Sequence, residues 1–489
     1  MRRRILVGLA FLELVLAFAG RSPIASADDT TGKPAKIDKL MQEYTDCCQF
    51  TGTVLVAEHD KVIFEKGYGY ADREWKIENK PDVKFRIGSI TKQFTSMLVL
   101  QQVAKGTIKL DAHLSDYLPY YRKDTGSRVT IHQLLNHTSG IPSYTDDAKF
   151  FDDVSRNYYA VDDFVKKYCS GDLSFEPGSK FHYNNSGYFL LGAILEHVTG
   201  KTYEALLKEN ILIPAGMSDT GYDHSAEILP RRASGYQQEL GGVENAPYLD
   251  MSLPYSAGSL YSTVEDLHKW DQALYTDKLV SKELKQKAFT PGLEDYGYGW
   301  DIKTIPAGEP GAGQTSISHG GGINGFNTLE VRLTGDHDFI AIFNNTPGAP
   351  LNDMAKGIRA VLYGQEPVIP KKNLVPVLGE TLTNHGVDAA VKQYHELKKS
   401  DANGYDFAER ALDRLGELLL RKKRGADAIV ILQLNAAEFP KSSNVYVSLG
   451  DAYAQEGKKQ EAAANYKRAL EADPKNKEAE DKLKGLEKP

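Results

Sequence analysis

Two short apolar runs, Thr53-Val54-Leu55-Val56-Ala57 and Val62-Ile63-Phe64, flank the polar triplet His59-Asp60-Lys61, and this pattern predicts an N-terminal β-hairpin. From Ile90 to Lys105 the period changes. Phe94, Met97, Leu98 and Val103 fall on one stripe and Gly106 stands where a helix would stop, which predicts an amphipathic helix. Mixed helical and loop sequence follows to about Lys287. Strand-like runs then return at Tyr298-Gly299-Trp300-Asp301-Ile302, from Phe326 to Val331, and at Phe339-Ile340-Ala341-Ile342-Phe343. Strands at both ends enclosing helices predict an α+β domain, with an antiparallel sheet made from the N- and C-terminal strands and a helical region inserted between them. The cleft between sheet and helices is the expected place for a site.

Beyond Gln365 the style of the chain changes. Pro367 and Pro370 punctuate a linker, and after about Thr381 the sequence is helical and rich in Ala, Leu, Lys and Glu. Leu415-Gly416 returns as Leu449-Gly450, Ala428 as Ala462 and Pro440 as Pro474, each 34 residues later. The later copy, with Leu449, Gly450, Tyr453, Gly457, Ala462, Tyr466, Ala469 and Pro474, resembles the tetratricopeptide repeat. In the earlier copy Leu419 and Leu432 replace two tyrosines of that pattern. A partial helix pair around Ala390 to Leu397 would complete the minimum stack, and a plain helical bundle is the alternative.

Composition and charge narrow the picture. At 489 residues the chain exceeds what one compact core usually supports, so two domains are expected. A net charge of -7, with no run of Lys and Arg interleaved with aromatics, argues against nucleic-acid binding. Arg2, Arg3 and Arg4 precede an apolar run from Ile5 to Ala19 and then Ala25-Ser26-Ala27, the pattern of a secretory signal cleaved after Ala27. An uncleaved anchor is the alternative, but the run is short for a bilayer span and Glu13 interrupts it. The expected location is therefore periplasmic or secreted, with no membrane span after cleavage. The expected division is a signal peptide (1–27), a lead-in (28–48), a main domain (49–365), a linker (366–380) and helical repeats (381–489). Of three cysteines, the adjacent Cys47 and Cys48 cannot easily bridge each other, which leaves open one disulfide from Cys169 to either, or three unpaired thiols. No His/Cys cluster has metal-ligand spacing, so no metal is expected.

Three constellations carry the chemistry. In Arg86-Ile87-Gly88-Ser89-Ile90-Thr91-Lys92, Ser89 begins the first helix and Lys92 lies three residues on, so hydroxyl and amine share a face. Burial in an apolar pocket or beside another cation would bring the lysine toward ~7 to 8, where a neutral amine can act as base. Alone the motif is weak, since S-x-x-K arises about twice by chance in a chain of this length. A helix cap beside a solvated lysine is its ordinary meaning. The second constellation, Tyr183-Asn184-Asn185, precedes another apolar helix, and its phenol and amide can face one cleft to relay a proton and hold a substrate carbonyl or amide. The third, His319-Gly320-Gly321-Gly322, lies on or beside a late strand, where glycines let substrate approach the backbone.

Together and in this order, over about Gln49 to Leu362, they resemble the class C β-lactamase family and its D-amino-acid peptidase, carboxypeptidase and esterase relatives. The resemblance extends to the segments Ile131 to Pro142, Ala257 to Thr263 and Tyr298-Gly299-Trp300. It implies a β-lactamase/transpeptidase-like fold, an acyl-enzyme on Ser89, proton transfers shared by Lys92 and Tyr183, and substrate positioning by Asn185, with His319 and Gly321 in the third motif. The backbone N–H groups of Ser89 and Gly322 would form the oxyanion hole, each worth ~3 kcal/mol in the transition state. No cofactor is implied. In the β-lactamases proper the third motif usually opens with Lys; His319 carries charge only when protonated, which moves the expected substrate from β-lactams to an amide or ester in a peptide or small acyl compound. A β-lactamase is the second expectation. A non-catalytic sensor or scaffold whose repeats bind a protein partner is the third.

Overall fold

The computed structural model describes residues 32–48, 50–147 and 149–487. The signal sequence read at residues 1–27 lies outside the described residues. The strands that organise the main domain are β1 (Gly52–Glu58), β2 (Lys61–Tyr68), the small hairpin β3 (Tyr236–Glu239) and β4 (Gly242–Asn245), then β5 (Asp301–Thr304), β6 (Thr315–Ile323), β7 (Phe326–Leu333) and β8 (Asp338–Asn344). Six of them form one antiparallel sheet in the order β5-β6-β7-β8-β1-β2. The chain's first hairpin thus closes on its last strand, with Val54 opposite Ile342. His59 and Asp60 both take positive φ in the two-residue turn between β1 and β2, the backbone that matches the strand twist.

Helix α1 (Lys33–Cys48) lies on the outer face of the sheet. Helices α2 (Thr91–Ala104), α3 (Asn185–Thr199) and α4 (Val264–Leu274) belong to the inner helical region, and α5 (Leu351–Leu362) returns to the outer face beside α1. The stretch read as a lead-in therefore contains a helix whose Ile37, Leu40, Met41 and Tyr44 share a core with Val54, Val56, Ile340 and Ile342. The alternate residues Leu55, Ala57, Phe339, Ala341 and Phe343 face the inner core with Phe94 and Leu98. Because both faces are covered, these strands read as continuous apolar runs, and a one-residue slip would exchange two different cores.

Two expectations are corrected. The helix after Ser89 is not amphipathic: every residue from Thr91 to Gln102 is buried. Several of its polar groups find partners inside the core: Gln93 Oε1 accepts from the Trp270 indole (2.9 Å), and Thr95 bonds Tyr203 and the Ser256 carbonyl (2.7 and 2.6 Å). The late strand starts at Asp301 rather than Tyr298, because Gly299 takes φ 81° and packs where a side chain would meet the Gln93 backbone at 3.0 Å. Cys169 is a buried free thiol, its pKa pushed up to about 12 by desolvation, and makes no bridge to Cys47 or Cys48; Cys47 is itself disulfide-bonded, so the alternative of three unpaired thiols fails as well.

The C-terminal part consists of antiparallel helix pairs: α6 (Leu374–His385) with α7 (Val387–Ser400), α8 (Glu409–Arg421) with α9 (Gly425–Glu438), and α10 (Ser443–Gln455) with α11 (Lys459–Ala472), followed by α12 (Lys477–Glu487). Helix α6 begins inside the stretch read as linker. The spacing of 34 has a packing cause. A methyl group on Gly416 would lie 2.6 Å from Leu432, and one on Gly450 would lie 2.5 Å from Tyr466, so each glycine lets the second helix of its pair approach closely. Among the described residues no helix is long and apolar enough to cross a membrane.

Candidate active site

Gly88, at φ 52°, turns the chain after Ile87 into a short 3-10 turn, Gly88–Ile90, that runs directly into α2. Ser89 is therefore presented one turn ahead of Lys92. The Lys92 ammonium nitrogen is fully buried and lies 2.9 Å from Ser89 Oγ, 2.8 Å from Asn185 Oδ1 and 2.9 Å from the Ala257 carbonyl. Desolvation pushes its pKa well below the ordinary lysine value, and no carboxylate opposes the shift. A neutral amine has two N–H bonds and one lone pair. Asn185 Oδ1 and the Ala257 carbonyl can only accept, so in that form they take the two N–H bonds and leave the lone pair facing Ser89 Oγ.

Asn184 caps α3 by accepting from the Gly187 N–H at 2.7 Å, and this fixes its neighbours Tyr183 and Asn185 at the helix entrance. Asn185 is held at both ends: its backbone N–H donates to Ser143 Oγ (3.1 Å), and its Nδ2 donates to Thr145 Oγ1 (2.9 Å). The side-chain amide expected to hold substrate is thus engaged with Lys92 and Thr145, and orients the lysine. The Tyr183 ring lies over the Lys92 nitrogen, 4.8 Å from its centroid. Its hydroxyl is buried without a hydrogen-bond partner of normal geometry. Desolvation raises its pKa, and the nearby Ser89 hydroxyl works against the rise.

The third motif occupies β6. Strand β5 pairs only with Thr315 to Ser318, so among the described residues the edge from His319 to Ile323 has no strand neighbour on that side. A methyl group on Gly321 would sit 1.9 Å from the Ile87 carbonyl, and one on Gly88 would sit 2.9 Å from the Gly322 nitrogen. These glycines are required by backbone meeting backbone, and the same contact brings the Ser89 turn against Gly322. The hydrogen of Gly321 points into the protein, so any substrate contact there is through its backbone alone. His319 is buried. Its Nδ1 lies 2.6 Å from the Gly320 carbonyl and its Nε2 lies 2.9 Å from the Tyr296 hydroxyl. Desolvation pushes the pKa down to about 3, and in the neutral ring the Gly320 carbonyl takes the Nδ1–H while Nε2 accepts from the Tyr296 hydroxyl.

Ser89, Asn185 and Gly322 line a cleft of about 100 Å³ whose remaining wall includes Tyr144, Phe150, Leu249 and Ile323. Among the described residues, no Asp, Glu, Lys, Arg or His lines it. A larger hollow of about 1280 Å³, bounded by Tyr275, Lys285 and Arg332, contains none of the candidate residues.

A family model described as Beta-lactamase matches residues 37–363, and one described as Tetratricopeptide repeat matches residues 443–476. The first spans well over half of the chain. This chain belongs to the beta-lactamase family. It is 32% identical over 318 residues to the putative penicillin-binding protein PbpX of Bacillus subtilis (strain 168), covering 65% of this chain and 75% of that one. Among solved structures it resembles a penicillin binding protein from Bacillus halodurans, at 28% identity and a TM-score of 0.59, over 66% of this chain and 98% of the other. It also resembles a D-stereospecific amidohydrolase from Streptomyces sp., at 26% identity and a TM-score of 0.58, over 68% and 99%.

In this beta-lactamase-family chain the structure brings Ser89, Lys92, Tyr183 and Asn185 together and places the Gly322 backbone beside them. It withdraws the His319 ring from the cleft. Sequence reasoning missed Ser143, Thr145 and Tyr296, which orient Asn185 and His319 respectively. Ser143 and Thr145 follow closely on the Ile131 to Pro142 segment, and Tyr296 lies two residues before Tyr298. Small hydroxyl residues beside a motif were the available signal. His137, at φ 61°, was passed over as well: its Nδ1 accepts from the Asn184 N–H at 3.0 Å.

Proposed function

We propose that the chain is an exported serine hydrolase that cleaves an uncharged amide or ester through an acyl-enzyme on Ser89. The observation that carries this reading is the Lys92 amine, buried with two pure acceptors and the Ser89 hydroxyl. Ser89 Oγ attacks the substrate carbonyl carbon as its proton passes to Lys92. The carbonyl oxygen becomes an oxyanion facing the backbone N–H groups of Ser89 and Gly322. The leaving amine or alkoxide takes a proton through Lys92 and Tyr183, and water then attacks the acyl ester and returns a proton to Ser89.

Substrate preference follows from the cleft wall. A β-lactam, or a peptide recognised by its terminal carboxylate, would need a fixed cation, whereas the described wall is apolar with a few neutral polar groups and burial lowers the His319 pKa to about 3. An amidated or esterified acyl group with an apolar side chain fits better. The likeness to an amidohydrolase described as D-stereospecific supports a D-residue on the acyl side. Export rests on the charged, apolar and small-residue order of the first 27 residues. The repeats add a surface for a protein partner.

The test is intact-mass detection of a covalent adduct, followed by steady-state turnover, with a D-aminoacyl amide, a short acyl ester, a D-alanyl peptide and a chromogenic cephalosporin. Amide or ester turnover exceeding that of the other two is expected, and Ser89→Ala should lose adduct and turnover with its circular dichroism unchanged. Rapid cephalosporin hydrolysis with failure on the amide and ester would reverse the substrate assignment. Turnover persisting in Ser89→Ala would remove the nucleophile.

A further inference from the structure

The β3–β4 hairpin belongs to the hydrolase domain by sequence, yet its tip is part of the repeat module. Leu240, at that tip, is buried in the same core as Leu374, Leu378 and Leu415. Helix α6 meets it so closely that a methyl group on Gly379 would lie 3.0 Å from the Leu240 carbonyl. The end of α8 clamps the tip by charge. Arg421 reaches Glu239 at 3.1 Å, and Lys422 reaches Glu239 at 3.4 Å and Glu244 at 3.0 Å. Glu239 is only 4% exposed, so these cations neutralise a carboxylate largely removed from water.

The base of the same hairpin touches the catalytic strand. Gly325, in the turn joining β6 to β7, packs backbone to backbone on Gly235: a methyl group there would sit 2.5 Å from the Gly235 Cα and 2.8 Å from the Ala246 Cβ. Asn324 donates from Nδ2 to the Pro247 carbonyl at 2.9 Å. Asn324, Ile323 and Gly322 line the cleft on one side of this contact, and Leu249, two residues past Pro247, lines it as well. A strand of four residues, about 13 Å long, thus separates an ion-paired tip on the repeats from a glycine-on-glycine contact at the cleft rim.

We infer that Arg421 and Lys422 of the repeat module are positioning residues for the hydrolytic site, acting through the β3–β4 hairpin on the Asn324–Gly325 turn and so on Gly322. The inference rests on the reading of Gly322 as an oxyanion donor. Both ends of the hairpin are packed without slack, so a displaced tip is passed to the base as rigid-body tilt. A partner that moves the end of α8 would change turnover without entering the cleft, and a donor displaced from the oxyanion lowers kcat more than it raises KM.

The experiment uses the full chain and compares the wild type with the double variants Arg421→Ala/Lys422→Ala and Arg421→Lys/Lys422→Arg. With the best ester or amide substrate, the alanine pair should lower kcat about fivefold or more with KM within about twofold, and the charge-conserving pair should restore it. Amide hydrogen exchange over residues 320–326 should quicken in the alanine pair alone. Unchanged kcat and exchange in the alanine pair would overturn the inference. Equal losses in both pairs, tracking a lower unfolding temperature, would also overturn it, because they would report global destabilisation. If the wild type hydrolyses nothing, the functional reading fails, while the exchange measurement still decides whether the hairpin links the two modules.

Discussion

Asn185→Asp is close to isosteric, and it places a carboxylate where Lys92 Nζ now lies 2.8 Å from an amide oxygen. In the wild type no carboxylate contributes to the Lys92 shift, and desolvation alone lowers its pKa well below the ordinary value. At 2.8 Å and an effective dielectric of about 20, a new ion pair is worth about 6 kcal/mol, or about four pH units. The cost of burying the new carboxylate takes back part of this, and opposite charges in contact shift a pKa by about 1 to 3 units. The sign is fixed by the role. Lys92 must be unprotonated to accept the Ser89 proton, so activity rises with pH through the Lys92 pKa and then levels off. The wild-type rise should fall well below the ordinary lysine value of 10.5. In Asn185→Asp the pKa goes up and the rise moves to higher pH by the same amount. Below the displaced rise the variant should be slower by about 10- to 1000-fold, recovering as the pH is raised. The assay is kcat/KM for a chromogenic acyl ester or amide between pH 5 and 10, with substrate stability controlled at each pH. A variant whose profile rises at the wild-type pH, or whose deficit is the same at every pH, would refute the neutral-amine mechanism.

Other residues around the cleft give independent tests. Gly321→Ala should cost about 1 to 3 kcal/mol in denaturant unfolding and lose most turnover, because its methyl would sit 1.9 Å from the Ile87 carbonyl ahead of Ser89. Gly322→Ala has open space and should stay within about 0.5 kcal/mol of wild type, so similar losses in the two would contradict the packing account. Tyr296→Phe removes the donor to His319 Nε2 and leaves a buried acceptor unpaired. A loss of about 1 to 3 kcal/mol is expected in urea unfolding, and an unchanged midpoint would show that the bond carries nothing. Asn184→Ala removes the cap of α3, with a cost of about 1 kcal/mol and a larger fall in kcat than in stability, since Tyr183 and Asn185 hang on that cap. A kcat held at the wild-type level would separate the cap from the site.

How much of this was legible in the chain depended on how local the cause was. The N-terminal hairpin could be read because its signal lies in adjacent residues, and the repeats because two glycines 34 residues apart each admit a neighbouring helix. The helix after Ser89 was misjudged. Its Gln, Thr and Ser side chains find partners more than 90 residues away, so polarity did not mark a solvent face. His319 was expected to supply charge on protonation, and it is burial among residues distant in the chain, with Lys92 beside it, that lowers its pKa to about 3.

By itself, then, the sequence determined the family, the α+β order of elements and the residue types of the site, because motif order and hydrophobic period are properties of neighbours along the chain. Tertiary structure decided the electrostatics. It removed Lys92 from water without a counter-charge, engaged the Asn185 amide internally and took His319 out of the cleft. It also decided that a hairpin inside the hydrolase domain has its tip in the repeat core. Desolvation and close packing depend on what arrives from elsewhere in the chain, and no local pattern of residues records that.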